Sequence, residues 1–295
     1  MEQSNVIPVF AVGNAAKTGD RSIGAILVQA GRLSSEDAER ILRRQREKGL
    51  RFGEAAMELG LLKTGDIEFA LSRQFDHPYL VRGESKVSEE VVAAYAPFGH
   101  QSEALRALRG QLMLRWFDNN PVHKALAIVS ADRKEGRSFL TANLGVVFSQ
   151  LGMNTLVVDA DMRNPSQHRL FGLNSGSGFS EALSGRGSQV TIKHVAGLPD
   201  LWLLPAGALP PNPVELLARP RFPQLLAELA QKFSVILLES PAAADCADAQ
   251  TIAVRAGAAL IVARKNQSRV WQVSGVSDVV GQASTIVIGS VLNDF

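Results

Sequence analysis

The sequence predicts two folded parts: a small all-helical domain, followed by a larger α/β domain with a doubly wound, mostly parallel sheet. An internal repeat early in the chain predicts the helical part, because both copies space their apolar residues by three and four positions. Short apolar runs that alternate with helical segments beyond about residue 121 predict the larger part. Strands that are apolar throughout are typical of parallel sheets covered on both faces.

Composition excludes several classes of protein. The 295 residues suffice for one large or two modest domains, and a net charge of +2 is too small to predict nucleic-acid binding. The single cysteine, Cys246, rules out an internal disulfide and fits a reducing cytoplasm. The chain does not open on a signal-peptide pattern, and its apolar runs are shorter than the roughly 18 residues that span a bilayer. We therefore expect a cytoplasmic protein that binds no nucleic acid and reaches a membrane only through a partner.

The tandem repeat consists of "IGAILVQAGRLSSEDAERILRRQ" at 23–45 and "FGEAAMELGLLKTGDIEFALSRQ" at 52–74. Glycines and leucines recur 29 residues apart, as Gly24 and Gly53 do. Each copy predicts a short helix, a glycine break, an N-cap and a second helix.

Changes in pattern divide the chain into segments. The stretch around Pro97 and Gly99 has a mixed composition and precedes the amphipathic segment "SEALRALRGQLMLRW", so it is typical of a linker. We predict a flexible arm at 1–18, the helical tandem-repeat domain at 19–83, a linker at 84–100 and the α/β domain at 101–295.

Six apolar runs are the candidate strands of the α/β domain: "KALAIVS", "NTLVVDAD", "LWLLPAG", "FSVILLES", "AALIVAR" and "TIVIGSVLN". The turn after the first strand leads into a helix, and the backbone N–H groups of such a turn can bind phosphate. There "ADRKEGRS" aligns with the pattern G-x-x-x-x-G-K-[ST]. Gly136 keeps the second glycine, and Ser138 keeps a hydroxyl for Mg²⁺.

Ala131 stands at the first glycine of this pattern, and two further residues of the loop are unusual. Arg137 stands where lysine is usual, and it keeps the charge but not the compact shape. Lys134 stands where glycine would allow left-handed backbone. Taken alone, the loop is equally compatible with a strand-to-helix turn that binds no ligand.

Acidic residues end two other candidate strands. Asp159 and Asp161 point to the same side of an extended segment, where they could hold Mg²⁺, order its water or accept a proton from a hydroxyl. Capping of the next helix is an alternative role, although it explains one of the two more easily than both. Glu239 ends "VILLE" and predicts a second acidic group in the outer shell of the metal.

With these motifs the chain resembles the P-loop bacterial tyrosine kinases, and among them the EpsG-type chain-length-determinant kinases. The segments "SADRKEGRS", "VVDADMRNP", "LLPAGALPPNPVELL" and "ESPAAADCADA" look like their Walker A, Walker A′ and Walker B regions. The resemblance covers roughly residues 100 to 295 and implies ATP and Mg²⁺ as cofactors. It implies that Ser138, Asp159 and Asp161 bind the metal, and that the two aspartates also serve catalysis. The nucleotide-binding residues it implies are Gly136, Arg137, Ser138, Glu239 and Asp248.

The resemblance also implies partners. "EALRALR" matches the E-x-x-R-x-x-R helix of the family through Glu103, Arg106 and Arg109, which implies self-association into a ring. A solvated helix face with paired charges is the alternative explanation. Because these kinases control polysaccharide chain length and export, a membrane-embedded polysaccharide co-polymerase is the implied partner.

Departures from the family pattern bear on the activity. Arg137 replaces the Walker lysine and Glu239 replaces the Walker B aspartate. The C-terminal tyrosine cluster of the family is missing, since the only tyrosines are Tyr79 and Tyr95. We therefore expect no self-phosphorylation on a tail, and we leave open whether kinase activity survives.

The tandem repeat resembles the N-terminal domain of MshE-type secretion and pilus ATPases, which binds cyclic-di-GMP. The second copy fits that pattern, whereas the first has Ser22 in the place of its arginine. Arginine can fork onto guanine or phosphate, and glycine lets backbone approach a ligand. A helical adaptor without a ligand is the alternative. The effector-binding residues that the resemblance implies are Arg21, Gly24, Gly31, Gln45, Arg51, Gly53, Gly60 and Gln74.

Together these features predict a cytoplasmic, ATP-binding, tyrosine-kinase-like regulator of exopolysaccharide chain length, polymerisation and export, modulated by cyclic-di-GMP. One alternative is a pseudokinase scaffold that acts by binding and assembly without catalysis. Another is a ParA- or MinD-like partitioning ATPase, although the loop lacks the K-G-G-x-G-K-T of that group.

Overall fold

The structure is a computed structural model that describes residues 22–74, 78–118, 120–185, 191–282 and 285–294. The chain divides into two compact units, 1–77 and 78–295. The arm predicted at 1–18 and the candidate effector-binding Arg21 lie outside the described residues.

The first unit contains four helices: α1 (Ile23–Gln29), α2 (Ser35–Lys48), α3 (Phe52–Glu58) and α4 (Thr64–Gln74). Helices α3 and α4 begin 29 residues after α1 and α2, so the helices follow the period of the sequence repeat. Their facing sides bury a small apolar core that includes Leu27, Ile41 and Ala70.

The repeated glycines have reasons within these helices. A Cβ on Gly24 would lie 3.3 Å from the Phe52 ring, and one on Gly53 would lie 3.1 Å from an isoleucine side chain. Gly31 and Gly60 have φ values of +69° and +66°, the left-handed conformation that commonly ends a helix. Close helix packing and chain reversal therefore account for glycines that the sequence pattern also links to ligand binding.

The second unit is an α/β sandwich of helices around one sheet. Its helices are α5 (Val92–Tyr95), α6 (His100–Leu112), α7 (Arg137–Ser149), α8 (Gln167–Leu170), α9 (Phe179–Leu183), α10 (Pro213–Ala218), α11 (Arg221–Ala230), α12 (Asp248–Ala256) and α13 (Val270–Gln282), with a π-helix at Met113–Phe117. Its strands are β1 (Ala125–Ser130), β2 (Thr155–Asp159), β3 (Lys193–His194), β4 (Leu201–Leu204), β5 (Val235–Glu239), β6 (Ala258–Arg264) and β7 (Ile286–Asn293).

The strand order is β3-β4-β2-β5-β1-β6-β7, and every neighbouring pair is parallel except β3 with β4. All six predicted strands are present, and the doubly wound, mostly parallel sheet is confirmed. The two-residue β3 was not predicted, because so short a strand leaves no periodic pattern.

Two apolar layers cover the sheet. Leu126 and Ile128 of β1 face the layer formed with α6 and α7, whereas Ala127 and Val129 face the layer formed with α11, α12 and α13. Because both faces of the strand are buried, it is apolar throughout rather than alternating.

The stretch predicted as a linker, 84–100, is instead packed into the second unit. Val87, Val91 and Tyr95 are buried in its core, and the Tyr95 hydroxyl donates to the Val87 carbonyl. The Ala93 N–H donates to Asn143 Oδ1 at 2.9 Å. The apolar run here is too short to reveal its burial, which is why composition alone indicated a linker. Among the described residues, none of the helices combines the length and the apolarity that crossing a bilayer requires.

Candidate functional site

The candidate site lies where the central strands end. Neighbouring strands β2, β5 and β1 finish at Asp159, Glu239 and Ser130, and Asp159 and Glu239 are register partners. Ligands of open α/β sheets bind outside the carboxyl ends of the strands. The fold therefore brings the acidic residues and the loop after β1 to one edge of the sheet.

The loop between β1 and α7 passes twice through left-handed backbone, at Lys134 with φ +60° and at Gly136 with φ +95°. Gly136 is the N-cap residue of α7. The first N–H groups of a helix lack intrahelical acceptors, so they and the positive end of the helix dipole can bind an anion. A cavity of about 510 Å³ adjoins the loop and is lined in part by Lys134–Ser138. Lys134 thus adopts the left-handed backbone that glycine would allow at this position.

Side chains from β6, from the segment after it and from β7 hold the loop from outside. Each donates a hydrogen bond to one of three successive loop carbonyls. The bonds run from Gln267 to Arg133 (3.4 Å), from Arg264 to Lys134 (3.3 Å) and from Asn293 to Glu135 (3.3 Å). These bonds fix the path of the loop without using its N–H groups.

Most N–H groups of the Arg137 guanidinium donate hydrogen bonds to other groups of the protein. Its side chain is only 8% exposed, and its Nε donates to the Ser240 carbonyl at 3.0 Å. Its Nη1 donates to the Asp132 carbonyl at 2.7 Å and to the Ser130 hydroxyl. Three of the five guanidinium N–H groups thus join the loop to the ends of β1 and β5. This differs from the phosphate-binding role that the Walker alignment implies, because a planar, forked guanidinium can reach several carbonyls at once.

Glu135 is a buried loop residue that the sequence motifs did not single out. One carboxylate oxygen accepts the Asp132 N–H at 2.7 Å, and the other accepts the Ser268 hydroxyl. The carboxylate therefore closes the loop from within. Ser268 lies 133 positions further along the chain, so a local sequence pattern does not indicate this role.

Asp159 is buried, and only one of its two carboxylate oxygens accepts hydrogen bonds from the described residues. Its Oδ2 accepts the backbone N–H groups of Ser166 at 2.9 Å and Gln167 at 3.0 Å. Its Oδ1 is buried without a hydrogen-bond partner among the described residues. Burial, and then the negative charge of Glu239, raise the pKa of Asp159 well above its usual range. Such an oxygen fits a cation or a proton donor as its missing partner.

Glu239 joins the loop to the acidic side. One of its oxygens accepts the Ser138 hydroxyl, and the other accepts Gln167 Nε2 at 2.6 Å. Burial raises the pKa of Glu239, although these two hydrogen bonds act in the opposite direction. The predicted proximity of Ser138, Asp159 and Glu239 is thus present as one hydrogen-bonded network.

Asp161 and Asp248 have structural partners. Asp161 lies in the turn after β2, where its Oδ1 accepts the N–H groups of Arg163 at 3.0 Å and Asn164 at 2.8 Å. Asp248 is buried and accepts two bonds from the Arg163 guanidinium, at 2.8 and 3.3 Å. Asp159 therefore caps the start of α8, which was the alternative to a metal role, whereas Asp161 accepts N–H groups of the turn that follows it. Of Asp159, Asp161 and Asp248, it is Asp159 that keeps a fully buried oxygen without a hydrogen-bond partner among the described residues.

These groups fit Mg²⁺ and a nucleotide phosphate. The Ser138 hydroxyl and the unpartnered Asp159 oxygen are hard oxygen ligands of the kind that Mg²⁺ prefers. Within the described ranges, His, Cys, Asp and Glu side chains form no preassembled cluster of three or more that could hold a metal. This suits Mg²⁺, which keeps several waters and binds through one or two protein groups plus substrate phosphates.

The predicted oligomerisation residues lie on α6 and make contacts within the chain. Glu103 is 62% exposed and forms an i,i+3 pair with Arg106. Arg109 donates to the Val147 carbonyl near the end of α7. Glu103 is therefore the most accessible of the three, and self-association through this helix stays a prediction.

The helical unit contains a cavity of about 640 Å³. Its lining includes Gly24, Gln45 and Gln74 of the predicted effector-binding residues, but not Gly31, Gly53 or Gly60. Arg51 is exposed before α3 and also lies outside this lining, with its backbone N–H donating to Glu54 at 2.9 Å. The cavity thus belongs mainly to the first repeat, whereas the sequence pattern favoured the second.

The loop before α7, the serine that follows it and the acidic strand ends define a P-loop nucleotide-binding protein. No protein-family model matches the chain. CapB of Staphylococcus aureus, named as a tyrosine-protein kinase, is 33% identical over 194 residues, which are 65% of this chain and 83% of CapB. The tyrosine-protein kinase wzc of Salmonella typhimurium is 28% identical over 255 residues, which are 86% of this chain but only 35% of wzc. The chain belongs to the family of bacterial tyrosine-protein kinases.

Solved structures agree with this assignment. The kinase domain of the Escherichia coli tyrosine kinase ETK has a TM-score of 0.66 and 29% identity, covering 75% of this chain and 85% of that domain. The cell-division ATPase MinD of Pyrococcus furiosus has a TM-score of 0.51 and 26% identity, covering 58% and 72%. The kinase is therefore similar over more of the chain, and the partitioning-ATPase alternative is not favoured.

Proposed function

We propose that this chain is an Mg²⁺- and ATP-binding, tyrosine-kinase-like regulator of exopolysaccharide chain length, polymerisation and export. The observation that carries the proposal is the pairing of an anion-binding helix start at Gly136 with a buried, unpartnered oxygen on Asp159. Ser138 donates to Glu239, and Gln167 donates to both Glu239 and Asp159, which connects these two groups. The family relationship supports tyrosine as the acceptor.

The residues would divide the work as follows. The N–H groups at the start of α7 would bind phosphate oxygens, and Ser138 with Asp159 would hold Mg²⁺, which supplies charge neutralisation to the phosphates. Asp159 would also orient or deprotonate the tyrosine hydroxyl.

Nucleotide titration by calorimetry tests the proposal. ATP and ADP should bind in the presence of Mg²⁺ and more weakly in EDTA, and radiolabelled ATP should label a tyrosine-containing copolymer. Ser138→Ala should weaken the Mg²⁺-dependent binding, whereas Arg133→Ala, at an exposed loop side chain, should not. Absence of heat with both nucleotides would overturn nucleotide binding.

A pseudokinase scaffold is the second candidate, and the state of Arg137 favours it. Arg137 stands at the position of the Walker lysine and already donates to Ser130, Asp132 and Ser240. It therefore has fewer N–H donors left for phosphates. Nucleotide binding without transfer to the copolymer would support this candidate over the kinase.

We also propose that the protein is cytoplasmic, forms homo-oligomers and reaches the inner membrane through a polysaccharide co-polymerase. Exposed Glu103 on α6 is the best position to test self-association. Glu103→Arg should yield a smaller species in sedimentation, whereas Glu84→Arg, at another exposed position, should not. The same mass for both variants and the parent would contradict a role for this face of α6.

Cyclic-di-GMP is the proposed effector, bound in the cavity of the helical unit. The cavity volume of about 640 Å³ is in the range of small-molecule sites, and Gln29, Gln45 and Gln74 are among the polar residues of a largely apolar lining. Titrating the full chain with cyclic-di-GMP should reveal binding that Gln45→Ala weakens. Arg51→Ala tests the second repeat in the same way. If it weakens cyclic-di-GMP binding more than Gln45→Ala does, the site lies in the second repeat.

A further inference from the structure

Gln167, the first residue of α8, connects three parts of the candidate site. Its backbone N–H donates to Asp159 Oδ2 at 3.0 Å. Its side-chain Nε2 donates to Glu239 at 2.6 Å and to the Ser138 carbonyl at 3.1 Å. The side chain is fully buried, so these contacts are made away from competing water.

The surroundings fix the orientation of this amide. Both groups near Nε2 are acceptors, a carboxylate oxygen and a carbonyl, so a flipped amide would place oxygen against oxygen. The amide oxygen Oε1 therefore points elsewhere, and it is buried without a hydrogen-bond partner among the described residues. Asp159 Oδ1 is in the same state.

Asp159 and Gln167 are hydrogen-bonded to each other, and each keeps one unpartnered acceptor among the described residues. This pair of acceptors indicates a site that a hydrogen-bond donor completes. An unsatisfied buried acceptor destabilises a fold by roughly 1–3 kcal/mol, and most such groups in proteins are bonded to protein, water or ligand. Here both acceptors belong to residues that already bind the ends of β2, β5 and the start of α7. The start of α7 is the part of the site that binds phosphates in the proposed function.

We propose that Gln167 is a positioning residue for metal-dependent nucleotide binding. Its amide group holds the Glu239 carboxylate and the Ser138 peptide in place, and its oxygen accepts a hydrogen bond when Mg²⁺ and nucleotide fill the site. This inference rests on the proposed nucleotide binding.

The length of the residue at position 239 explains why a glutamine is needed here. A glutamate carries its carboxylate about one C–C bond further from the backbone than an aspartate does, which adds torsional freedom. The bond from Gln167 at 2.6 Å and the bond from Ser138 restrain that freedom. The glutamine and the glutamate are thus matched to each other across α8 and β5.

The test compares Gln167→Met with Gln150→Met. Methionine keeps the length and apolar bulk of glutamine without its amide. Gln150 is a matched control, because its Nε2 also donates to two carbonyls, of Pro78 at 3.0 Å and Ala93 at 2.9 Å, and its Oε1 is also unpartnered among the described residues. Its acceptors are not groups of the candidate site. Affinity for ADP is measured by calorimetry in Mg²⁺ and in EDTA, with thermal melting of each nucleotide-free variant.

In Gln167→Met the affinity gained from Mg²⁺ should fall about tenfold, while the affinity in EDTA stays within about twofold. Gln150→Met should change neither, although both variants should melt at a lower temperature. In Gln167→Met with Glu239→Asp, the loss should be smaller than the two single losses combined, since they share one contact. Equal losses in Mg²⁺ and EDTA, or no difference between the two methionine variants, would overturn the positioning role. No binding by the parent chain would instead overturn the proposed function and this inference with it.

Discussion

The loop after β1 and the acidic ends of β2 and β5 lie at one edge of the sheet, yet they differ in how their polar groups are satisfied. On the loop side, Arg137 and Glu135 bind protein groups with most of their donors and acceptors. On the acidic side, Asp159 and Gln167 each keep one buried oxygen without a partner among the described residues. We call the loop side, whose buried polar groups are mostly satisfied, the closed half of the site. The acidic side, which keeps buried acceptors without partners among the described residues, is the open half.

This difference separates stability from ligand binding. Satisfied buried groups stabilise the fold, and removing one leaves its partners unbonded. Unsatisfied buried groups destabilise the fold and are maintained where a ligand completes them. Substitutions of the satisfied loop residues should therefore destabilise the nucleotide-free protein, and substitution of the half-satisfied Asp159 should not.

Arg137→Ala should have the largest effect. It removes a buried guanidinium and leaves the carbonyls of Asp132 and Ser240 without that donor, so we expect a loss of about 3 kcal/mol in the free energy of unfolding. Denaturant unfolding without nucleotide measures this loss. Arg133→Ala is the matched control, because Arg133 is exposed and its ion pair with Asp245 should contribute less than about 1 kcal/mol. Similar losses in both variants would mean that the loop is not held by Arg137.

Replacing the two unusual loop residues with the usual ones should strengthen nucleotide binding. Arg137→Lys with Lys134→Gly supplies a compact ammonium and a residue that adopts φ +60° without strain. We expect the affinity for ATP with Mg²⁺ to rise about tenfold, or about 1.4 kcal/mol. Calorimetry of the parent and the double variant measures it, with Lys134→Gly alone as the control for backbone strain. An unchanged affinity would mean that Arg137 already serves phosphate as well as lysine does.

In both halves of the site, the sequence predicted local features and missed contacts between distant residues. The strands and the position of the loop were predictable, because apolar runs and glycine before a helix are local patterns. The partners of Arg137 were not, because Ser240 lies 103 positions further along the chain and offers only a backbone carbonyl. Gln167 was missed for a similar reason, since a buried glutamine has no motif of its own. The burial of 84–100 was also missed, because it depends on the surface presented by α7.

The pH dependence of the stability of Asp159→Asn tests the open half of the site. The pKa of Asp159 is raised in the folded protein by burial and by Glu239, so the folded state favours the protonated form. The wild-type protein should therefore lose stability as pH rises from the unfolded pKa near about 4 through the raised folded value. Asparagine can still accept the Ser166 and Gln167 N–H groups and does not ionise.

We expect Asp159→Asn to be more stable than wild type by about 1 kcal/mol at pH 7.5, and equal to it near pH 4. Denaturant unfolding at a series of pH values measures the difference. Asp248→Asn is the contrasting control: it weakens the buried pair with Arg163 and should destabilise the protein at pH 7.5. A loss of stability in Asp159→Asn at neutral pH would remove the contrast between the two halves.

Glu135→Gln should have the smallest effect, because it tests whether the closed half needs its charge or only its hydrogen bonds. The amide oxygen of glutamine can still accept the Asp132 N–H. Its NH₂ group would then face Ser268, whose hydroxyl can turn to accept instead of donate. Both contacts survive, so we expect a loss below about 1 kcal/mol in denaturant unfolding. Glu135→Ala removes both contacts and should lose more than Glu135→Gln. If the glutamine variant loses as much as the alanine variant, the loop depends on a buried negative charge, and its closure is electrostatic rather than a matter of matched donors and acceptors.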